Sequence, residues 1–259
     1  MTIAGSDPSG GAGIQADLKT FSALNVYGTT VITALTAQNT QGIVAIEPVR
    51  PEFVGDQINA IFEDMPIDAV KIGMLASPEI IATVASVLKT YRPAQVVVDP
   101  VMVSSSGRCL LSRQAVDAMI ADIFPLTTLL TPNLDEAAVL LNAPVLQDQS
   151  GMEKSAEKIA RLGIASVLLK GGHLKGQKAV DVLYDGDQFT TFSTDRINTK
   201  NTHGTGCTLS AAIAAFLAQG LDLPQAVGGA KKYITGAIRA ADQLKTGAGA
   251  GPLHHFWHQ

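Results

Sequence analysis

Short apolar runs, many of them β-branched, alternate along this chain with longer stretches of helical period. Thr2–Ala4, Thr29–Leu35, Ala69–Ile72, Val96–Asp99, Thr128–Thr131 and Val167–Lys170 are apolar on both faces, the pattern of strands buried in a parallel sheet. Between them the spacing predicts helices over Ile14–Leu24, Glu52–Asp64, Pro78–Tyr91, Arg113–Ile123, Asp135–Leu141 and Met152–Leu162. Val180–Tyr184 and Gln188–Phe192 flank Asp185-Gly186-Asp187 and predict a hairpin. Helices over Thr208–Gln219 and Pro224–Ala241 close the chain. This alternation implies an α/β fold, a mostly parallel central sheet flanked by helices on both faces. No repeat or linker divides the sequence, so residues 1–259 are expected to form one domain.

The polar exceptions gather at the carboxyl ends of these strands, where ligands bind in such sheets. Gly5-Ser6-Asp7-Pro8-Ser9-Gly10-Gly11-Ala12-Gly13 follows the first strand, Gln38-Asn39-Thr40 the second and Gly73-Met74 the third. Asp99-Pro100 ends the fourth, Pro132-Asn133 the fifth and Lys170-Gly171-Gly172-His173 the sixth. The first loop is neither a dinucleotide fingerprint nor a P-loop, since the third glycine and a Gly-Lys-Ser/Thr are missing. Close backbone approach to a small acceptor molecule is the use left to it. Asp17, one turn into the next helix, either faces that molecule or is a solvated helix carboxylate. The Gln38 amide offers a donor and an acceptor side by side, which suits a heteroaromatic ring with an amino group beside a ring nitrogen. A loop glutamine without a ligand is the plainer alternative. Met74 either fills the core or lays its thioether on a flat ring.

His203-Gly204-Thr205-Gly206-Cys207-Thr208-Leu209 opens a helical run of small residues. Gly204 and Gly206 permit a tight turn that leaves several N–H groups pointing outward at the helix start, an anion site. Cys207 in that field is expected to have a lowered pKa and an accessible thiolate. Cradle plus base suggests phosphoryl transfer; a glycine-rich turn with a buried cysteine is the alternative. Asp99 suits Mg2+ held through water beside nucleotide phosphates. Asn133 and Glu136 have the spacing of a capping box and are also candidates for the surroundings of those phosphates and their metal. Lys170 offers a point charge for phosphate, and Gly172 permits close approach. His203 is expected to brace the anion loop, His254-His255-Phe256-Trp257 to dock as a tail, and Cys109 to be ordinary.

Composition narrows the partners. The 259 residues are 46% hydrophobic with a net charge of −4, and no basic cluster marks a nucleic-acid face. Aromatics are 5% and Trp257 is the lone tryptophan, which argues against base-stacking platforms. Two cysteines without metal-ligand spacing exclude a disulfide scaffold and make a reduced, cytoplasmic compartment the expectation. The N-terminus has no signal-peptide pattern, and the longest apolar run is too short for a membrane span.

Together these stations resemble the ribokinase-like superfamily, and more narrowly the hydroxymethylpyrimidine/phosphomethylpyrimidine kinases of thiamine biosynthesis. The match is carried by Thr2 to Asp17, Thr36-Ala37-Gln38-Asn39-Thr40, Lys71-Ile72-Gly73-Met74-Leu75, Asp99-Pro100-Val101-Met102, Thr131-Pro132-Asn133, Lys170-Gly171-Gly172-His173, the His203–Cys207 loop and Gly251-Pro252-Leu253-His254-His255-Phe256. The resemblance covers essentially the full length. It implies a ribokinase-like three-layer fold, ATP as phosphoryl donor with Mg2+, and usually a homodimer. It also implies an anion hole built by Gly204, Thr205, Gly206 and Cys207, with Cys207 at the family's catalytic position. Gln38 matches the pyrimidine-binding glutamine, with Gly5, Asp17 and Met74 in the same pocket. One departure is Ser105, where the family usually has a lysine before Ser-Gly. Two alternatives stand beside this reading: a pyridoxal-type kinase, against which Gln38 argues, and a non-catalytic pyrimidine-binding homologue.

Overall fold

The computed structural model describes residues 1–102, 111–145, 148–172 and 176–259; Ser105, Cys109 and His173 lie outside the described residues. Its strands are β1 (Thr2–Ser6), β2 (Thr30–Asn39), β3 (Gly42–Pro48), β4 (Val70–Ile72), β5 (Val96–Val98), β6 (Leu129–Leu130), β7 (Ser166–Gly171), β8 (Lys178–Tyr184) and β9 (Phe189–Asp195). They form one sheet in the order β3-β2-β1-β4-β5-β6-β7-β8-β9. The strands from β2 to β7 pair in parallel, and β3 at one edge and β8–β9 at the other are antiparallel. The helices are α1 (Gly13–Ala23), α2 (Pro51–Phe62), α3 (Pro78–Tyr91), α4 (Arg113–Ala118), α5 (Leu134–Leu141), α6 (Gln149–Ala160), α7 (Thr205–Ala218) and α8 (Leu223–Ala240).

Strand alternation builds two cores from one sheet. Val96, Val98, Leu130, Val167 and Leu169 face a core shared with α2 to α6. Val97, Leu129 and Leu168 point the other way, into a core with Phe21 of α1, the small face of α7 and Ala230 and Ile234 of α8. Burying one such side chain is worth about 1.5–3 kcal/mol, so each face holds its own helix layer. The small residues let α7 be buried on nearly all sides and lie close over the middle of the sheet. The chain leaves β1 for β2 on one side and returns to β4 on the other, so the strand order reverses there. Such a reversal opens a crevice at the strand ends.

The sequence reading differs from this architecture in four places. β2 runs on through Thr36-Ala37-Gln38-Asn39 and turns back as β3, a strand the apolar pattern misses because much of this ribbon is exposed. Gln38 therefore sits inside a strand, next to a β-bulge at Ala37/Gln38, and not after it. α7 begins at Thr205, three residues before the predicted start at Thr208, with Gly204 as its N-cap. α6 begins at Gln149, where Asp148 caps it by accepting from the Gly151 N–H at 2.7 Å. Finally, the helix expected over Arg113–Ile123 is α-helical only to Ala118, widens into a π turn, Met119–Ile123, and then tightens into a 3-10 turn, Phe124–Leu126.

Candidate active site

The start of α7 points at the ends of β5 and β7. Gly204 has φ +81°, and a methyl group there would collide with the Gly11 carbonyl of the first loop. Only glycine meets both demands. Gly206 and Cys207 fall in the first helical turn, where an N–H has no intrahelical acceptor. A Cβ on Gly206 would lie 3.2 Å from Asp99 Oδ2 and 3.3 Å from Lys170 Nζ. The structure thus brings together the predicted anion loop, the β5 carboxylate and the β7 lysine.

On one side of this point lies a chain of charges. Lys170 Nζ donates to Asp99 Oδ1 at 2.7 Å, and both side chains are largely buried. The lysine expected to be a charge for phosphate is thus already paired with the carboxylate expected to hold metal. Burial lowers the Lys170 pKa, but Asp99 and Glu136 outweigh it and hold the ammonium charged. Asn133 caps α5 in a reciprocal capping box: its Oδ1 accepts from the Glu136 N–H at 2.9 Å, and Glu136 Oε2 accepts from the Asn133 N–H at 2.8 Å. Burial, with Asp99 nearby, pushes the Glu136 carboxyl up to about 7 against the pull of Lys170. Gly172 has no protein atom near the position of a Cβ, so its backbone borders open space.

Beneath the anion loop is a pair whose role sequence reasoning missed. Lys71, in the middle of β4, donates to Asp17 Oδ2 at 2.9 Å, and both side chains are fully buried. The Thr2 hydroxyl donates to the same oxygen at 2.6 Å, while Asp17 Oδ1 has no hydrogen-bond partner among the described residues. Asp17 is therefore no solvated helix carboxylate, and its side chain has no exposed surface from which to meet an acceptor directly. Burial raises its pKa despite Lys71 and Thr2. Burial pulls Lys71 down, but Asp17, Cys207 and Asp99 together raise it. A lone lysine between valine and isoleucine in a buried strand was the available signal.

The expected lowering of the Cys207 pKa is overturned. Burial pushes the thiol up to about 11, and Asp17 and Asp99 add to this; Lys71 and the Gly13 N–H oppose it without prevailing. A helix start favours a thiolate only when desolvation and neighbouring carboxylates are smaller terms. At neutral pH the resting thiol keeps its proton.

On the other side of Cys207 is a polar pocket wall. Met74, mostly buried, packs its methyl against Gly5, so two predicted acceptor-site residues touch. Thr33 holds the Met74 carbonyl through a 2.6 Å hydrogen bond. His203 Nε2 lies 2.8 Å from Asp7 Oδ2 and 3.4 Å from Gln38 Nε2. Asp7 also accepts from the N–H groups of Ser9, Gly11 and Ala12. His203 thus braces the first loop against the anion loop, as expected. The tail docks as well: the Tyr233 hydroxyl donates to the His255 carbonyl at 2.8 Å, and His255 Nε2 pairs with the Thr208 hydroxyl.

A family model described as phosphomethylpyrimidine kinase matches residues 7–254. A hydroxymethylpyrimidine/phosphomethylpyrimidine kinase of Rhizobium meliloti is 54% identical over 256 residues, covering 99% of this chain and 96% of the relative; its Escherichia coli counterpart is 48% identical at the same coverage. Among solved structures, a Bacillus subtilis pyridoxal kinase in an ADP complex superposes with a TM-score of 0.91 at 40% identity, covering 98% of this chain and 96% of that one. A Clostridium difficile phosphomethylpyrimidine kinase superposes at 0.81 with 48% identity, covering 92% and 97%. The family-model match over residues 7–254 and full-length identity near one half make this chain, with its helix-flanked parallel sheet, a member of the phosphomethylpyrimidine kinase family.

Proposed function

We propose that this chain, acting as one kinase domain over residues 1–259, transfers the terminal phosphoryl group of ATP to 4-amino-5-hydroxymethyl-2-methylpyrimidine and then to the monophosphate so formed, in thiamine biosynthesis. The observation that carries this reading is the convergence of the α7 start, Asp99 and Lys170 a few ångströms from one another, in a chain matched over its length by kinases of that name. Phosphoryl transfer is mostly positioning and charge stabilisation. Gly204, Thr205, Gly206 and Cys207 would present backbone donors to the transferred group. Lys170, held between Asp99 and Glu136, would meet the nucleotide phosphates, with Asn133 and Gly172 bordering them. On the acceptor side, Gln38 would read the pyrimidine edge, Gly5 and Met74 would floor the ring, and Asp17 would act from beneath through Lys71.

Asp99 and Glu136 also fit a hard divalent cation. No cluster of three or more His, Cys, Asp or Glu side chains among the described residues forms a ready metal cage. Mg2+ does not need one, because it binds through one or two carboxylates, waters and substrate phosphates. Burial, with Asp99 adding to it, pushes the Glu136 carboxyl up to about 7 despite Lys170, and a cation arriving with its nucleotide would favour the ionised form. When bound there, Mg2+ would offset charge on the phosphates.

Burial pushes the Cys207 thiol up to about 11, so at neutral pH it is held in the protonated form. A protonated thiol cannot accept the hydroxyl proton, so Cys207 would act as a base only from its thiolate form, after its own proton has passed to solvent. The loose transition state of phosphoryl transfer asks little of a base before the new bond forms. A homodimer built over the β2–β3 edge is part of the proposal. It is supported by Leu35 and Val44, which are 51% and 77% exposed on that edge.

A second reading, pyridoxal phosphorylation, is favoured by the pyridoxal kinases among the structural neighbours. Parallel ATP-turnover assays with the hydroxymethylpyrimidine and with pyridoxal decide between them. Preference for the pyrimidine is the expected result, and turnover of pyridoxal alone refutes the proposal.

A further inference from the structure

The hydrogen positions around His203 have a consequence for substrate orientation. The Asp7 carboxylate is buried, which raises its pKa, but hydrogen bonds from His203 and Ser9 more than reverse this and bring it to about 2. It is therefore ionised and can only accept. His203 Nε2, 2.8 Å away, must carry its hydrogen toward Asp7. The Gln38 amide sits against the same nitrogen, with its Nε2 3.4 Å from His203 Nε2 and its Oε1 3.2 Å from Thr36 Oγ1. Thr36 has one hydroxyl hydrogen, and it goes to the Ser6 carbonyl at 2.8 Å.

With the amide nitrogen toward His203, two N–H donors face each other and Thr36 is asked to donate twice. A half-turn of the amide, which exchanges atoms of nearly equal size, removes both conflicts. Oε1 then faces the His203 Nε2–H, whose single hydrogen is donated to Asp7 at 2.8 Å and reaches the amide oxygen only as the long arm of a three-centre contact at 3.4 Å, and the amide nitrogen donates to Thr36. The imidazole cannot yield instead. It is packed against Gly11, where a Cβ would strike it, and its backbone N–H is tied to the Gly251 carbonyl at 3.1 Å.

The geometry points to His203, with Thr36 opposite, as a positioning residue that fixes which end of the Gln38 amide accepts and which donates, and so which way round the acceptor ring lies. This rests on the pyrimidine-kinase reading above. Each amide end then keeps one site for a ligand, a lone pair on oxygen and a hydrogen on nitrogen. An exocyclic amino group beside a ring nitrogen complements that pair, as adenine complements glutamine. A 4-oxo pyrimidine presents the reverse order, a carbonyl beside a ring N–H, and needs the amide turned over.

The test compares kcat/KM for 4-amino-5-hydroxymethyl-2-methylpyrimidine and for its 4-oxo analogue in the wild type, His203→Phe and Thr36→Val. A two-bond amide contact should give the wild type a preference for the amino compound of roughly 5- to 150-fold. In each variant one anchor is gone, the amide can turn, and that ratio should fall toward one. A merely structural role for His203 would depress both substrates alike and leave the ratio unchanged. His203→Phe keeps the ring packing but deprives Asp7 of a partner; should it fail to fold, Thr36→Val alone is decisive. A wild type without preference, or a folded Thr36→Val that keeps the full ratio, overturns the inference while the kinase reading stands. A wild type inert toward both pyrimidines overturns the kinase reading as well.

Discussion

Replacing Lys71 with methionine removes the cation from a pair that has no access to water. Both side chains are fully buried, and after the change Asp17 would retain the Thr2 hydroxyl on Oδ2 and nothing on Oδ1. Breaking such a pair by deleting one partner costs about 3–5 kcal/mol, because a buried charge is left uncompensated. Against a typical stability of about 5–15 kcal/mol, Lys71→Met should fold but with a thin margin. The cost should depend on pH. Asp17 already titrates above the normal carboxyl range, and losing Lys71, its strongest opposing charge, raises it further. A raised folded pKa means that the native state holds the extra proton. The Asp17 contribution is therefore most favourable below the unfolded carboxyl value of about 3.9 and is lost as pH rises through the folded pKa. Urea unfolding at pH 5 and pH 8 should show the larger deficit at pH 8. Lys71→Met/Asp17→Asn should regain much of it, because the orphaned charge is gone. Lys71 is also the largest of the influences that lower the Cys207 pKa. Alkylation of Cys207 at pH 8, located by peptide mass spectrometry, should accordingly be slower in Lys71→Met. A variant as stable as wild type at both pH values, or a double variant no better than the single, refutes this account of the pair.

Three further outcomes follow from the same structure. Gly204→Ala forces a side chain into a left-handed backbone position and onto the Gly11 carbonyl; thermal denaturation should show a lower Tm, and turnover should fall more than ATP binding, because the donors act mainly in the transition state. Cys207→Ala should slow phosphorylation of the neutral hydroxymethyl group more than that of the monophosphate, whose second pKa of about 6 leaves the attacking oxygen already ionised; equal losses in separately measured half-reactions would show that Cys207 only positions the acceptor. His255 is held down to about 4 by burial first, then by Lys19 and His254; its contribution is intact above the unfolded value of about 6.5 and is lost as pH falls toward 4, so the wild type should lose about 2 kcal/mol between pH 7 and pH 5 that His255→Gln does not, as read by urea unfolding at the two pH values.

The parallel strands and the helices between them were legible because a parallel strand must be apolar on both faces and a covering helix on one. β3 was not, since Val44 and its neighbours are exposed and owe their strand to pairing with β2. That pairing also moved Gln38 from a loop into a strand. This matters chemically: a strand residue at the bulge, two places after Thr36, has a fixed backbone, so its amide can be oriented by neighbours instead of averaging over loop positions. No described helix is long and apolar enough to cross a membrane.

The candidate site divides along the same line. Gly204 and Gly206 could be placed from sequence because tight turns and helix starts have local rules. The Cys207 thiol could not, because its pKa is decided by burial and by Asp17, Asp99 and Lys71. Those residues arrive from α1, β5 and β4, far apart in the chain and side by side at the sheet's reversal. A local rule, the helix dipole, pointed one way, and nonlocal desolvation pointed the other with more weight. The resting enzyme consequently carries a protonated thiol beside a buried ammonium.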